Sequence, residues 1–480
     1  MRKILPLVAV ICLLLSCQRG IEVSDQIDAL PPVEPDYAGV TVPVNIAPLN
    51  FSYLGTEPCA LQVGGQTIRG RKGLFRFSRK QWKRLMARPE FELTVLARKE
   101  GKWVAYKPFK IFVSQDRIDP YISYRLIPPG YQGWQKMGLY QRDLESYRQT
   151  PIVTNDLTGG NCMNCHTYLN GDPSKMVFHA RATFGGTMLI DGGAIEKLNT
   201  KTDSTMSALV YPYWHPSGDY IAFSVNKTFQ SFYNHGSDRI EVFDKASDVV
   251  VYNVHTRQIA WSPLTRDEGR FETFPTFSPD GKWLYFCSAE AVPEMPKDYK
   301  QARYGIYRIA FHAEDMSFGD QLECIYDAPA EGFSASFPRI SPDGRYLCFT
   351  RHGYGNFSIW HQDSDLWMVD LETRAVWPLA EANSERSESF HTWSGNGRWL
   401  VFNSRRGDGL YTRVYFTHID ADGRASKAFL LPQDDPVPYY KRLLFSYNLP
   451  AFMTGPVPMP ERRIVSEIRR SQGVDVQVKD

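Results

Sequence analysis

This chain contains few cysteines and has almost no net charge. Eight of the 480 residues are cysteine, and 55 Lys and Arg residues face 53 Asp and Glu residues, for a net charge of +2. Cysteines this few and scattered do not indicate a dense disulfide framework. A nearly neutral chain has no marked electrostatic attraction to nucleic acid, so no nucleic-acid partner is expected.

The marks of a hydrolase are also missing. No G-x-S-x-G nucleophile elbow occurs, because residues 332–336 lack the final glycine. The glycine pairs at 185–186 and 192–193 signal turns and have no phosphate-loop context. A hydrolase is therefore not expected, while a redox role remains open.

Beyond the first residues there is no long apolar run, so no later segment is expected to cross a membrane. Residues 4–15 are almost entirely apolar and follow Arg2 and Lys3, which is typical of an export signal. The run ends in Leu-Ser-Cys at 15–17, which resembles the lipobox of bacterial lipoproteins. The resemblance implies lipidation of Cys17 and a protein anchored in the cell envelope, facing the periplasm, with the outer membrane as the expected location. An ordinary signal peptide with an incidental cysteine is the alternative.

After the signal at 1–17, the chain divides into segments with different patterns. Residues 18–36 are polar and contain prolines, as in a flexible tether. Residues 37–120 contain a predicted hairpin and a short helix capped by Ser78, which favours a small β-sandwich-like domain. Residues 121–204 are predicted to be an aromatic connector that carries a haem segment.

An internal repeat occupies residues 205–440 and leaves 441–480 as a C-terminal tail. Its turn glycines fall 63, 63 and 53 residues apart. An aromatic residue follows each glycine by two positions, and a strand-like run then closes on phenylalanine. Recurring β units of this kind indicate a propeller, because each unit buries its face only against its neighbours. The four copies are residues 212–223, 275–286, 338–349 and 391–402.

The repeat P-x-F/W-S-P-D-G-x-x-L-x-F is similar to the TolB-like propeller repeat. The resemblance implies a mainly β fold with a TolB-like (WD-repeat-like) β-propeller of five or six blades. Residues 177–204 or the tail are expected to supply the blades that the four copies do not. The fourth copy has His391 and Gly395 in place of prolines, so its turn is expected to differ.

The most specific motif is Cys162-Met163-Asn164-Cys165-His166. The spacing C-x-x-C-H is that of c-type haem attachment, in which two thiols bond the porphyrin and the histidine binds the iron. We therefore predict one covalent haem c on Cys162 and Cys165, with His166 as the proximal metal ligand. A disulfide and half of a zinc site are the alternatives, but no further zinc ligands appear at suitable spacing.

The sixth iron ligand decides between an electron carrier and an open haem site. His179 is the first candidate, because it lies far enough beyond Cys165 to reach the other haem face. Met176 and Met188 are alternatives, and all three could instead be packing residues. Arg181 could pair with a haem propionate.

The whole chain resembles bacterial envelope lipoproteins that combine a TolB-like propeller with one C-x-x-C-H site, through residues 14–17, 124–131, 161–166 and the propeller turns. The resemblance implies haem, fold and location. The predicted function is a periplasmic, lipid-anchored monohaem c-type cytochrome-like protein that transfers electrons, with the propeller as a docking platform for a redox partner or envelope proteins. The alternatives are a non-enzymatic envelope interaction scaffold of TolB-like type and a haem sensor or peroxidase-like enzyme.

Overall fold

The computed structural model describes residues 21–129, 136–233, 239–470 and 472–479. The predicted signal, the lipidation candidate Cys17, and Tyr131 and Trp134 of the aromatic segment lie outside the described residues. The described chain is mainly β. No helix in these ranges is long and apolar enough to cross a membrane.

The N-terminal part forms a β domain of two sheets. Its elements are β1 (Val23–Ile27), β2 (Val33–Glu34), β3 (Thr41–Pro43), β4 (Phe51–Tyr53), β5 (Cys59–Val63), β6 (Gln66–Arg69), β7 (Leu74–Phe75), α1 (Arg79–Leu85), β8 (Glu90–Lys99), β9 (Lys102–Tyr106) and β10 (Phe109–Ser114). One sheet has the order β1-β9-β8-β10-β3, with β5 paired to β8 and β6, and the other has the order β2-β4-β7.

The helix predicted after Ser78 is confirmed. The Ser78 hydroxyl accepts a hydrogen bond from the Gln81 backbone N–H, and the Gln81 side chain accepts one from the Ser78 backbone N–H at 2.9 Å. This capping box satisfies two backbone donors that the first helical turn leaves open. Trp82 and Leu85 bury the inner face of the helix, while its basic residues stay outside.

The remaining chain forms six sheets of four or five strands, one after another. Its elements are β11 (Tyr121–Ile127), β12 (Gly138–Asp143), β13 (Gln149–Thr154), β14 (Met163–Leu169), β15 (Asp172–Ala180), β16 (Gly186–Asp191), β17 (Ala194–Asn199), β18 (Leu209–Trp214), β19 (Tyr220–Phe232), β20 (Ile240–Asn253), β21 (Gln258–Ala260), β22 (Arg270–Phe277), β23 (Trp283–Glu290), β24 (Gly305–His312), β25 (Ser317–Phe318), β26 (Glu323–Tyr326), β27 (Ser334–Ile340), β28 (Tyr346–His352), β29 (Asp365–Asp370), β30 (Val376–Pro378), β31 (Glu388–Trp393), β32 (Trp399–Ser404), β33 (Arg413–His418), β34 (Phe429–Leu430), α2 (Pro436–Arg442), β35 (Ser446–Met453), α3 (Glu461–Ile468), β36 (Val474–Asp475) and β37 (Gln477–Val478).

These sheets form a ring. The innermost strands are neighbours in the order β35, β14, β18, β22, β27, β31 and back to β35. Strand β35 completes the sheet begun by β11, β12 and β13, so the two ends of the ring are joined by backbone hydrogen bonds. The propeller-type β fold predicted from the repeat is therefore confirmed.

Two segments contribute to the ring in a way that the repeat pattern does not indicate. Residues 121–204, interpreted as a connector, form most of one sheet and all but a short edge strand of the next. Residues 441–480, interpreted as a tail, supply β35 and two short parallel edge strands, β36 on β17 and β37 on β21. Neither segment contains the S-P-D-G turn, so their strands carry no repeat signature.

The repeat turns have the geometry that their glycines predict. All four glycines have φ between 67° and 82°, the left-handed region that glycine adopts without steric cost. In the third copy the Ser341 hydroxyl donates to Asp343 Oδ1 at 2.5 Å, and in the fourth the Ser394 hydroxyl donates to Asn396 Oδ1 at 2.7 Å. The fourth turn, expected to differ, keeps the same hydrogen bond because Asn396 supplies the acceptor. The glycines are Gly218, Gly281, Gly344 and Gly397.

The N-terminal domain packs on the last repeat of the propeller through a shared hydrophobic core. Trp399, which is fully buried, donates from its indole Nε1 to the Asp116 carbonyl oxygen at 2.9 Å. His418 Nε2 lies 2.7 Å from Asp116 Oδ2. Because Asp116 lies two residues after β10, these contacts join the end of the N-terminal domain to the fourth repeat.

Candidate functional site

Each innermost strand has one residue with a positive φ of 50–57°, at the point where its register with the next strand shifts. Four of these residues are aromatic, and their rings contact one another in turn at centroid distances of 4.7, 4.0 and 5.0 Å. We call these four residues the aromatic plug, because they fill the middle of the propeller channel. The plug consists of Tyr211, Phe274, Phe337 and Phe390, and the other two positions are Cys165 and Leu449.

The C-x-x-C-H motif lies in this ring of positions. Cys165 and His166 occupy the same places in β14 that Phe390 and His391 occupy in β31. Both motif cysteines are buried free thiols. Burial raises the pKa of the Cys165 thiol, and it lowers the pKa of both His166 and His391 to about 3. The motif is therefore part of the repeated inner-strand geometry of the propeller.

The structure gives His166 a protein partner. Its Nε2 lies 2.9 Å from the Ser123 hydroxyl of β11, while its buried Nδ1 has no hydrogen-bond partner among the described residues. Ser123 and His166 belong to adjacent sheets, so this contact links the first two sheets of the ring.

The candidates for the sixth iron ligand do not face His166 across a cavity. His179 is on β15, directly paired with Asn164 of the neighbouring strand, and its Nδ1 lies 3.2 Å from Thr187 Oγ1. Burial lowers the pKa of His179 to about 3. Met176 and Met188 are fully buried in the hydrophobic core beside β14, where they act as packing residues.

The space beside the motif is too small for a porphyrin. The cavity that borders both Cys165 and His166 has a volume of about 70 Å³, whereas pockets for small molecules usually measure roughly 300–1,000 Å³. Nowhere in the described ranges do three or more His, Cys, Asp or Glu side chains form a group that could hold a metal ion. A porphyrin does not fit this cavity with the motif segment in its present position, and covalent haem on Cys162 and Cys165 stays a prediction.

A larger cavity lies next to the motif cavity, towards the repeat turns, and residues such as Tyr213 and Arg339 border both. It measures about 350 Å³ and is bordered by inner strands and turns from several sheets. We call it the lower cavity. Its walls combine aromatic side chains with one cation and one carboxylate, and they include Tyr213, Trp214, Phe277, Trp393, Arg339 and Asp119.

Arg339 is the cation of the lower cavity. It lies on β27, two residues after the plug residue Phe337, and borders both the lower cavity and the smaller cavity at the motif. Its Nη1 donates to the Pro338 carbonyl oxygen at 2.8 Å, and its guanidinium carbon lies 5.0 Å from the ring centroid of Tyr213. Burial lowers the pKa of Arg339, whereas the nearby Tyr213 side chain raises it.

Asp119 closes one side of the lower cavity. Its Oδ2 accepts a hydrogen bond from the Gly395 backbone N–H at 2.7 Å, which fixes the carboxylate against the fourth repeat turn. Burial raises the pKa of Asp119. Because the Asp119 carboxylate already accepts this backbone hydrogen bond, Arg339 is the charged group of the cavity that can bind a ligand.

Sequence reasoning missed Arg339, although a signal was present. The residue after the first position of the repeat is Tyr213, Thr276 or Thr392 in three copies and Arg339 in the other. A charged residue at an inward-facing position of an otherwise uncharged column indicates a binding role. The sequence does not show that this repeat position faces the channel, so only the structure gives the charge of Arg339 its meaning.

Comparisons with known proteins give only distant structural similarity. Neither a protein family nor a curated protein matches the chain. A solved prolyl endopeptidase structure has 12% identity and a TM-score of 0.34, covering 66% of this chain and 43% of that one. A puromycin hydrolase structure has 13% identity and a TM-score of 0.39, covering 67% of this chain and 53% of that one. The structure of Porphyromonas gingivalis dipeptidyl peptidase 4 has 10% identity and a TM-score of 0.31, covering 74% of this chain and 59% of that one. The chain thus spans about half the length of these structures.

The predicted electron-transfer function is wrong. It required the C-x-x-C-H motif to hold a haem with His179 across from His166, but the motif is packed inside an inner strand beside a cavity of about 70 Å³. Nor do three or more His, Cys, Asp or Glu side chains form a metal-binding group in the parts of the chain that the structure describes. The haem sensor or peroxidase alternative requires the same haem and is not supported either.

Proposed function

We propose that this protein binds a small anionic ligand in the lower cavity of its propeller. The observation that carries the proposal is the Arg339 guanidinium, which borders a cavity of about 350 Å³ and has no ion-pair partner among the residues described. A partly buried cation without an opposite charge is a favourable place for a carboxylate, because charge-assisted hydrogen bonds to arginine are strong and directional.

The other walls of the lower cavity favour a ligand with a flat apolar body. Phe277 and Trp393 line it with ring surface, and the buried Nε1 of Trp214 has no acceptor within the described chain. Pockets that combine aromatic walls with a few polar groups bind molecules whose charged end is fixed and whose body is desolvated. An aromatic or cyclic carboxylate has this chemistry.

Benzoate and its neutral isostere benzamide provide the test. We expect the protein to bind benzoate at least tenfold more tightly than benzamide in isothermal titration calorimetry, and Arg339→Gln to remove that preference, because a charged hydrogen bond contributes about 1.5–3 kcal/mol. Arg345→Gln is the matched control, since Arg345 is an exposed arginine on the adjacent turn and does not border the cavity.

Two results would contradict the proposal. One is equal affinity of the wild-type protein for benzoate and benzamide, or no saturable binding of either. The other is an unchanged benzoate preference in Arg339→Gln, provided that its circular dichroism spectrum matches that of the wild type.

We also propose that the propeller is TolB-like with six blades and that Cys17 anchors it to the envelope, where it contacts other envelope proteins. The six consecutive sheets and the four S-P-D-G-type turns support the blade assignment, and the lipobox-like residues 14–17 support the anchor. Covalent lipid on a residue near the start of a chain holds a protein at a bilayer surface, stably when more than one acyl chain is attached.

Replacing Cys17 tests the anchor. We expect Cys17→Ser to move the protein from the membrane fraction to the soluble fraction, because the thiol that carries the lipid is lost. Cys12→Ser is the control, since Cys12 lies inside the predicted signal and should leave the distribution unchanged. Immunoblots of fractionated cells provide the measurement, and membrane retention of Cys17→Ser would rule out lipidation at this residue.

A further inference from the structure

A buried cation that does not border the lower cavity lies near the C-x-x-C-H motif. Arg125 is only 7% exposed. It lies on β11 two residues after Ser123, and alternate residues of a strand face the same side. Since Ser123 contacts His166 at 2.9 Å, Arg125 faces the motif segment as well.

The hydrogen bonds of Arg125 are incomplete. With the Asn448 amide oriented so that both its atoms are satisfied, Arg125 Nη2 donates to Asn448 Oδ1 at 2.9 Å. Arg125 Nε is buried and has no acceptor in the described part of the chain, and no Asp or Glu there lies within ion-pair distance of the guanidinium. A buried charge with incomplete hydrogen bonds lowers the stability of the fold unless an opposite charge lies beside it.

A second cation lies at the edge of the same region. Arg181 is exposed, and its backbone N–H donates to the Cys162 carbonyl oxygen at 2.9 Å. Burial lowers the pKa of Arg125, and the nearby charge of Arg181 lowers it further. Two like charges that repel each other, one of them buried, are stabilised together by one anion.

The motif segment adds unpartnered polar atoms. Asn161 is 1% exposed, and its Nδ2 finds no acceptor among the residues described. Asn164 Oδ1 and His166 Nδ1 are likewise buried without a partner there. Asp244, a buried carboxylate that acts on the same Tyr211 as the two arginines, is already engaged by Asn226 at 2.7 Å and Asn356 at 2.6 Å.

We infer that Arg125 and Arg181, with the Asn161 amide, form an oxyanion-binding site beside the motif segment, on residues that do not line the lower cavity. The ligand class is a carboxylate or phosphate group that can accept from the buried Arg125 guanidinium while Arg181 contacts it from the solvent side. The planar guanidinium favours a group with two oxygens in one plane. The exposed position of Arg181 gives such an anion access from solvent.

The probes are inorganic phosphate and acetate, added to the full chain at constant ionic strength with sodium chloride as the balancing salt. A ligand that binds only the folded state raises the thermal midpoint in a saturable way. We expect a saturable rise with one of the two anions and a half-saturating concentration at least tenfold higher in Arg125→Gln. The anion that saturates at the lower concentration identifies the group, phosphate or carboxylate.

Two further variants keep the result interpretable. Arg181→Gln is exposed and should fold normally, and we expect it to raise the half-saturating concentration about threefold, in the range of an exposed charge contact. Arg339→Gln separates the two sites, because it removes the cation of the lower cavity and leaves Arg125 and Arg181 in place; in that background we expect Arg125→Gln still to raise the half-saturating concentration at least tenfold. The proposed function can therefore fail while this inference holds, and the reverse is also possible.

The inference is overturned if neither anion gives a saturable rise, or if Arg125→Gln and Arg181→Gln both give the wild-type curve. It is also overturned if Arg339→Gln abolishes the response while Arg125→Gln retains it. Should Arg125→Gln fail to fold by circular dichroism, the Arg181→Gln curve decides between the two results.

Discussion

Replacing Trp399 with alanine is expected to lower the free energy of unfolding by about 3–5 kcal/mol, the usual cost of removing a buried tryptophan. Trp399 is the largest of the fully buried side chains. Its ring lies 4.8 Å from His418 and 6.4 Å from Phe429, centroid to centroid, and its Nε1 donates to the Asp116 carbonyl oxygen. The substitution removes both the packing and the link between the N-terminal domain and the propeller.

Urea unfolding followed by circular dichroism measures this loss. Trp283→Ala is a matched control, because Trp283 has the same position in the second repeat but is partly exposed, lies at the edge of a different core and stacks with the Arg308 guanidinium at 4.0 Å. We expect it to cost less than half as much. Equal losses in the two variants would show that the packing of the N-terminal domain on Trp399 does not contribute to stability.

The second large effect is a dependence of stability on pH that originates at Glu272. This residue is fully buried, its Oε2 has no donor among the described residues, and Asp248 lies near it. Burial raises the pKa of Glu272 to about 8, with a further contribution from Asp248. An unfolded glutamate titrates near 4.3, so between these two values the folded protein holds a proton that the unfolded chain has released.

Stability therefore falls as pH rises from about 4.3 to 8, because the folded state binds more protons there. Glu272→Gln keeps the shape and removes the titration. We expect it to raise the free energy of unfolding by about 2 kcal/mol at pH 7.5 and to leave it unchanged at pH 4.5, since one pKa unit corresponds to about 1.4 kcal/mol and relaxation around the charge reduces the full amount.

The difference between variant and wild type at each pH is the quantity to measure. Buried neutral histidines act in the opposite direction below pH 6.5, where the unfolded chain gains protons that His166, His179 and His391 do not accept. Their contribution is the same in both proteins and cancels. Glu290→Gln, at the exposed end of the same hairpin, is the control, and a pH-independent difference for Glu272→Gln would contradict the assignment.

Local signals in this sequence predicted local structure well. Gly281 and Gly344 marked turns with positive φ, the runs from Trp283 and Tyr346 became strands, and Ser78 capped a helix. Each of these features depends on backbone preferences and hydrogen bonds within a few residues, which the residue types determine directly.

The C-x-x-C-H motif shows where such reasoning stops. The spacing of Cys162, Cys165 and His166 is specific for haem attachment in an open segment, but a motif does not record whether a cavity surrounds it. In the fold, Cys165 takes the inner-strand position that Phe390 holds two sheets away around the ring, and only the assembled ring reveals that the two positions are equivalent.

The sequence by itself determined the β repeat, its turns and the propeller-type fold, because alternation and turn chemistry are properties of short segments. Only the tertiary structure decided that β35 closes the ring with β11, that Arg339 borders the lower cavity while Arg125 does not, and that His166 contacts Ser123. The physical reason is that these contacts join residues far apart in the chain, and their geometry follows from how six sheets pack around one axis.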